Sequence, residues 1–419
     1  MKNYGIEMEG KFIGEKLSNL PDWSASDEGR EIYIPTTKKK YIGSDARWVE
    51  YEQHPQDNII GIAGTAGFGV GICPTDILPN NMIPMSDYKN PLSANYGNYQ
   101  YVDGSIMCWI PRFYYKISTL EITIKGIDTY ETESEANVDG YAMHRAFKDG
   151  GIDQQGFFYD KYKCSKNALG TGYIASSIKN GLPISTDAVH NPIADLTACS
   201  GNFYYEAINA ARARDGVNGA VNSSSVFHVT TIFQHSAIAI LSMAHGQAAS
   251  NTTNCAWYDA TYNFPKGCND DALGDANDAT ISYISDGYLN CGKTGSGTPF
   301  GKTTHNGQNC GIADVNGLMH EINIGLVRSG TTDSEDINDT LGTTKFYSLK
   351  ESVSAKDITS GWTTGAGTPG STAWGDAAYL EGVTTSYDLL DLPMIGKDTG
   401  AIYFGNGANQ VLDAALTGA

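Results

Sequence analysis

The sequence has little charge and no long apolar run. Charged residues make up only 18% of the chain, against about 25% in an ordinary soluble domain. The most apolar stretch, Ala237 to Ala244, falls far short of the roughly 20 residues that cross a bilayer. No transmembrane helix is therefore expected. Cations are scarcer than anions: 28 Lys and Arg against 47 Asp and Glu give a formal net charge of −19. A surface of that sign repels phosphate backbones and anionic lipid heads, which argues against nucleic-acid binding and membrane association. The opening Met1-Lys2-Asn3-Tyr4-Gly5-Ile6-Glu7 lacks the apolar segment of a secretory leader. The eight cysteines, at 73, 108, 164, 199, 255, 268, 291 and 310, include no C-x-x-C pair, which argues against structural zinc. They read as buried free thiols. The alternative is disulfides, for which Cys255/Cys268 and Cys291/Cys310 are close enough in sequence.

Motifs of catalysis are missing as well. There is no Gly-x-Ser-x-Gly elbow. His228, His235, His245, His305 and His320 stand singly and read as structural histidines. Behind His320-Glu321 the position that a zincin would fill with histidine is Ile324. Gly64-Thr65-Ala66-Gly67-Phe68-Gly69 has no following Lys-Ser/Thr and no helix behind it, so it reads as closely packed or flexible backbone rather than a phosphate loop.

Glycine and tyrosine are abundant, at 48 and 25 residues, and they set the character of the chain: loop-rich, aromatic and ordered. Three parts are expected. Residues 1–52 carry short β-prone runs around Ile32-Tyr33-Ile34, Tyr41-Ile42 and Trp48-Val49, separated by turn residues. Residues 53–104 are rich in Gly, Pro and Asn and read as an irregular connector lying against a neighbour. Residues 105–419 form the body, with strands expected at 106–110, 113–117, 122–124 and 156–163. A helix is expected over 202–214, with Arg212 and Arg214 in its last turn and Gly216 just after. Another is expected from about Thr231 to His245. It opens on the capping box Thr231-x-x-Gln234, buries a face of Phe233, Ala237, Ile240 and Ala244, and stops at Gly246. Beyond Gly246 the chain reads as loops.

The run Leu20-Pro21-x-Trp23-x-x-x-Asp27-Glu28-Gly29-Arg30-x-Ile32-Tyr33, followed by Tyr41-Ile42-Gly43 and Trp48-Val49, resembles a small β module common in bacteriophage tail proteins. In the body the order of pieces is distinctive. Phe158-Tyr159-Asp160-Lys161-Tyr162-Lys163-Cys164-Ser165 is followed by the 202–214 helix and by Val229-Thr230-Thr231-x-x-Gln234-x-Ser236-Ala237. Last comes Asn309-Cys310-Gly311-Ile312-Ala313-Asp314-Val315-Asn316-Gly317-Leu318-Met319-His320-Glu321-Ile322. This succession resembles the formylglycine-generating-enzyme branch of the C-type lectin fold. Asp160, Tyr162, Gly311, Asp314, Gly317 and Glu321 are the positions that carry the likeness. The chain departs from that branch in lacking the tryptophans of the last strand, any cysteine after Cys310, and a Gly-Gly-x-Trp display segment near Gly405-Asn406-Gly407.

The resemblance implies an α+β fold, with a C-type-lectin-like body and a small N-terminal all-β module. It also implies one of two functions. The first is a bacteriophage tail-fibre or receptor-binding subunit, without enzymatic activity or a required cofactor. Its partners would be other tail subunits and a host-surface protein or glycan. It would be a homotrimer located in the virion tail, and in the host cytoplasm during assembly. The second is an oxidase of the formylglycine-generating type. A virion decoration or adaptor protein on the same scaffold is a further reading. Two candidate regions follow from residue type. Trp362, Trp374, Tyr379 and Tyr387, set among Gly, Thr and Ser, are either receptor contacts or plugs into the body's own core. Asp270, Asp271, Asp275 and Asp278 form either a calcium loop or a solvated acidic loop.

Overall fold

The computed structural model describes residues 57–117, 121–201, 204–268, 272–319 and 321–324. It also describes short stretches at 15–16, 19, 21–22, 24–25, 31–34, 39–44, 47–51, 326–329, 345–349, 354–357 and 374–375. The chain divides into two compact units, Met1–Asp57 and Asn58–Ala419.

In the first unit, the β-prone runs form strands β2 (Glu31–Ile34), β3 (Lys39–Ser44) and β4 (Arg47–Tyr51), joined at one edge by β1 (Glu15–Lys16). The sheet order is β1-β2-β3-β4, with β1 parallel to β2 and the other pairs antiparallel. Ile32 sits opposite Tyr41, and Ile42 opposite Val49.

The second unit is α+β, with more strand than helix and several small, mainly antiparallel sheets. Its centre is β7 (Ile106–Pro111). Alternate side chains of a strand point to opposite faces. Here both faces are apolar and both are covered: Cys108 and Ile110 enter one buried cluster, and Met107 and Trp109 enter another. β7 pairs with β6 (Asn98–Tyr101), which pairs with β5 (Met82–Pro84). On its other side lies β13 (Gly156–Asp160), antiparallel, with Phe158 opposite Trp109 and Asp160 opposite Met107. β8 (Phe113–Ile117) continues from β7 into a second sheet with β9 (Ile122–Gly126) and β10 (Ala142–Met143), beyond the short helix α1 (Glu133–Val138). Two hairpins follow. One is β11 (Lys148–Asp149) with β12 (Ile152–Asp153), and the other is β14 (Ser165–Leu169) with β15 (Gly172–Ser176). A last sheet joins β16 (Leu326–Ser329), β17 (Lys345–Leu349) and β18 (Trp374–Gly375).

Helix α2 (Tyr204–Arg212) lies within the expected span, and Ala210 packs on Ala175, Ile193 and Leu196. Helix α3 (Ile232–Ala248) starts where its sequence predicts. The Thr231 hydroxyl accepts from the Gln234 N–H, and the Gln234 side chain accepts from the Thr231 N–H. Two expectations for α3 are corrected. Residues 237–241, together with Met243 and Ala244, are all buried, so the helix is enclosed on every side rather than along one stripe. It also runs through Gly246 instead of stopping there. A Cβ at Gly246 would meet the Trp257 ring and the Asn263 carbonyl oxygen at 3.3 Å, so this glycine permits close packing rather than ending the helix.

The 53–104 segment is irregular outside its two strands, but it supplies β5 and β6 to the central sheet, and its described residues from Asn58 onward belong to the second unit. Ile60, Phe68, Val70 and Ile72 are buried with β7, β8 and α3 in the main core. Two histidines clamp this segment in place. His245 Nδ1 accepts from the Gly64 N–H, and its ring stacks on Phe68. His305 Nε2 meets the Gly69 carbonyl at 3.2 Å. Gly69 has φ +85°, and a Cβ there would lie 2.8 Å from His305 Nε2. The Gly67 N–H donates to Gln308 Oε1, so these amides already serve the protein's own acceptors. From Ala249 to Ile324 the described chain makes only isolated bridges and one short 3-10 turn, Phe300–Thr303.

Candidate functional site: the loop junction at His190 and Asp286

The positions that carry the sequence resemblance converge. The backbone after β13 is the meeting point, because the Lys161 N–H donates to Ile106 O and the Lys161 carbonyl accepts from Ala313. Asp160 takes a two-pronged pair from Arg214, with NH1 and NH2 each 2.7 Å from its oxygens. Tyr162 is buried edge-to-face against Phe300. Glu321 accepts from Lys163 Nζ at 2.9 Å and faces His235 Nδ1 at 3.4 Å. Burial alone would raise its carboxyl, but Lys163 and His235 overcome this and hold it at about 2. Lys163 also donates to the carbonyls of Gly317 and Met319, tying the aromatic strand to the 311–322 segment. Asp314 is fully buried, and burial pushes its carboxyl up to about 6 although the Gly295 N–H donates to it. Gly311 and Gly317 are glycine for steric reasons. A Cβ would lie 2.1 Å from Asn306 Oδ1 at Gly311, and 1.9 Å from the Cys268 carbonyl oxygen at Gly317, where φ is +76°. Gly317→Ala is expected to cost about 2–3 kcal/mol in urea unfolding, from backbone strain plus displacement of residue 268.

These groups hold one another, and the thiols among them are enclosed. All eight cysteines are free, so neither candidate disulfide forms. Cys108 and Cys310 share the interior with Lys161, and burial raises both thiols. The Lys161 ammonium donates to the oxygens of Ala94, Asn98 and Asn309, and burial lowers it.

The oxygen-rich loop is committed internally where it is described. Asp275 accepts from the N–H groups of Gly267 and Asn277, and Asp278 pairs with the Lys302 ammonium at 2.6 Å. Those two carboxylates thus serve the protein's own donors, and Lys302 neutralises Asp278. Asp270 and Asp271 lie outside the described residues. So do Trp362, Tyr379, Tyr387 and His320. Trp374 begins β18 opposite Leu349. His228 stands before α3 with Nδ1 against its neighbour's carbonyl, so it shares no helix face with His235.

A different cluster has the features of a site. Loop 185–192 and loop 284–292 cross, and His190 Nε2 donates to Asp286 Oδ2 at 2.5 Å. Asn191 Nδ2 donates to the same oxygen, and the Tyr288 N–H donates to Asp286 Oδ1 at 2.9 Å. The Tyr288 ring stacks on the imidazole, with centroids 4.2 Å apart and planes 14° from parallel. Its hydroxyl reaches Asp187. Cys291 closes the cluster: its sulfur, an imidazole nitrogen and a carboxylate oxygen all lie within 4.8 Å of one another. Burial, and then Asp286, pushes this thiol up to about 12, so it is not poised as a nucleophile. On the same two loops, Val189 and Leu289 are each 74% exposed and Ile284 is 52% exposed. Asn191 (φ 44°) and Leu289 (φ 46°) occupy left-handed backbone. That conformation is costly for a leucine and persists only where its surroundings enforce it.

No family model matches this chain, and no curated protein matches it either.

Sequence reading missed His190, Asp286, Tyr288 and Cys291. The turn chemistry was visible in Asp187-Ala188-Val189-His190-Asn191-Pro192 and Asp286-Gly287-Tyr288-Leu289-Asn290-Cys291. Nothing local, however, pairs two loops that lie 96 residues apart.

Proposed function

We propose that this chain is a bacteriophage attachment protein, a tail-fibre or receptor-binding subunit. Its C-type-lectin-like body holds stiff loops against a ligand on the host surface. The observation that carries this is the loop junction, where Val189 and Leu289 stand exposed on two loops pinned by buried polar contacts. Apolar side chains on a preorganised loop bury area on binding with little ordering cost. The acidic surface disfavours nucleic acid as the partner. The N-terminal β unit joins the chain to other tail subunits, and a homotrimer multiplies weak single contacts. The oxidase alternative gains nothing from Cys108 and Cys310, whose thiols are enclosed in the core.

The test is binding of the purified full-length chain to a panel of bacterial cells, alongside the double variant Val189→Asp/Leu289→Asp. Wild type is expected to bind at least one strain saturably, and the double variant at least about tenfold more weakly, the loss of two central apolar contacts. Equal binding by both proteins overturns the assignment to this junction, and wild-type failure on every strain overturns the function.

A further inference from the structure

At the loop junction, three donors that suit a borderline-soft cation converge: an imidazole, a carboxylate and a thiol. Among the described residues, His190, Asp286 and Cys291 are the one group of three or more such side chains placed to share an ion. His190 and the Asp286 carboxylate are almost wholly shielded from solvent, while Cys291 is half-buried. Two of the three ligand groups are therefore desolvated, and the third is partly exposed to solvent.

The groups around the donors are those a metal centre needs. Ligating side chains are ordinarily oriented by hydrogen bonds from outside the coordination sphere. Here Asp286 already accepts from the Tyr288 amide on one oxygen and from Asn191 on the other. The imidazole is fixed by stacking on Tyr288, and the main-chain amide of His190 donates to the Asp187 carbonyl, which closes the turn that carries it. The Asp286 N–H donates to the Cys291 carbonyl at 2.9 Å, which sets the thiol and the carboxylate on one tight loop. Tetrahedral zinc with ligands at about 2.0–2.3 Å separates them from each other by about 3.3–3.8 Å. The 2.5 Å imidazole–carboxylate contact must open by about 1 Å to admit the ion. A single carboxylate with nitrogen and sulfur donors is the wrong set for calcium or magnesium, which take oxygen ligands.

We propose that His190, Asp286 and Cys291 form a zinc site, with three protein ligands from two loops and a water in the fourth position. Zinc takes the imidazole lone pair at Nε2, whose proton shifts to Nδ1 so that the ligand stays a neutral imidazole, and it displaces the thiol proton to solvent; no group changes oxidation state. The metal would cross-link loops 185–192 and 284–292 and stiffen the backbone that carries Val189 and Leu289. The site does not depend on the attachment function, because it is measured on the purified chain without cells.

The experiment loads the full-length protein with zinc, and separately with cobalt. One metal per chain is expected. Cobalt should give a thiolate-to-metal charge-transfer band that Cys291→Ser abolishes. His190→Gln and Asp286→Asn should each weaken zinc binding at least tenfold while leaving the far-ultraviolet circular dichroism unchanged. X-ray absorption of the zinc-loaded wild type requires no variant, and it should report one sulfur and three nitrogen or oxygen neighbours. Sub-stoichiometric metal, two or more sulfur neighbours, or a cobalt band that survives Cys291→Ser would each overturn the site. So would a band abolished by Cys268→Ser, since Cys291 lies close enough to that half-buried thiol to help raise it.

Discussion

Replacing Arg214 by methionine is expected to destabilise the body by about 3 kcal/mol, the cost of leaving a partly buried carboxylate without its cation. Arg214 is buried beside α2, and its guanidinium faces Asp160 through two 2.7 Å bonds. Its Nε donates to the Ala175 carbonyl, Asp103 lies 3.9 Å away, and the Phe227 ring lies beneath it. Methionine keeps most of the stem's apolar contacts and removes the charge. The fork then leaves Asp160 uncompensated, with Asp103 adding repulsion. Urea unfolding should show a lower midpoint with an unchanged slope. Adding Asp160→Leu to Arg214→Met should recover more than half of the loss, because removing both charges is far milder than stranding one. If the double variant instead loses the sum of the two single losses, the pair is not coupled, and this account of the β13–α2 junction fails.

How much of this was legible in the sequence depends on the range of the physics involved. The α3 capping box is a four-residue interaction between Thr231 and Gln234, and it appears where expected. The β7 run Ile106–Pro111 is apolar at consecutive positions, which is what a strand covered on both faces requires. The 58–72 segment hid its role in the core. Phe68, Val70 and Ile72 do keep a strand's period of two, but glycines fill the positions between them and no strand forms there, so only the tertiary fold reveals that they are buried together with Ile60. Gly246 was misread because a helix-stopping glycine and a glycine that admits a tryptophan look identical in sequence. The junction at His190 was invisible for a related reason. Its imidazole comes from one loop and its carboxylate and thiol from another, and each loop alone reads as an ordinary turn. The Asp160, Asp314 and Glu321 positions were found, yet their neutralising partners, above all Arg214 and Lys163, are defined by the three-dimensional structure.

Acid should weaken the fold from about pH 6.5 downward, and the slope should steepen when Asp314 is replaced by asparagine. His305 is fully buried and neutral: Nδ1 accepts from the Ile312 N–H while Nε2 faces the Gly69 carbonyl. A proton on Nδ1 would point at another donor, and burial already holds this imidazole down to about 3. The unfolded chain takes up that proton near 6.5 and the folded chain does not, so stability falls as pH drops between the two values. At 1.36 kcal/mol per pH unit, going from pH 7 to pH 5 costs about 2 kcal/mol at this residue. His245 is lowered by burial too and acts in the same direction. Asp314 works in the opposite sense. Its folded carboxyl titrates at about 6, above the unfolded 3.8, so its penalty grows as pH rises through that window. Lowering the pH to 5 returns about 1 kcal/mol, which masks part of the histidine loss. Asp314 has φ 57°, a conformation asparagine also tolerates, so Asp314→Asn removes the charge without adding backbone strain. The variant should be about 3 kcal/mol more stable than wild type at pH 7, with an advantage of only about 1.6 kcal/mol at pH 5. Urea midpoints of the two proteins across that range provide the measurement. Parallel pH profiles would mean that Asp314 is ionised in the fold at its ordinary value. A flat profile for the variant would mean that His305 accepts a proton without leaving Ile312.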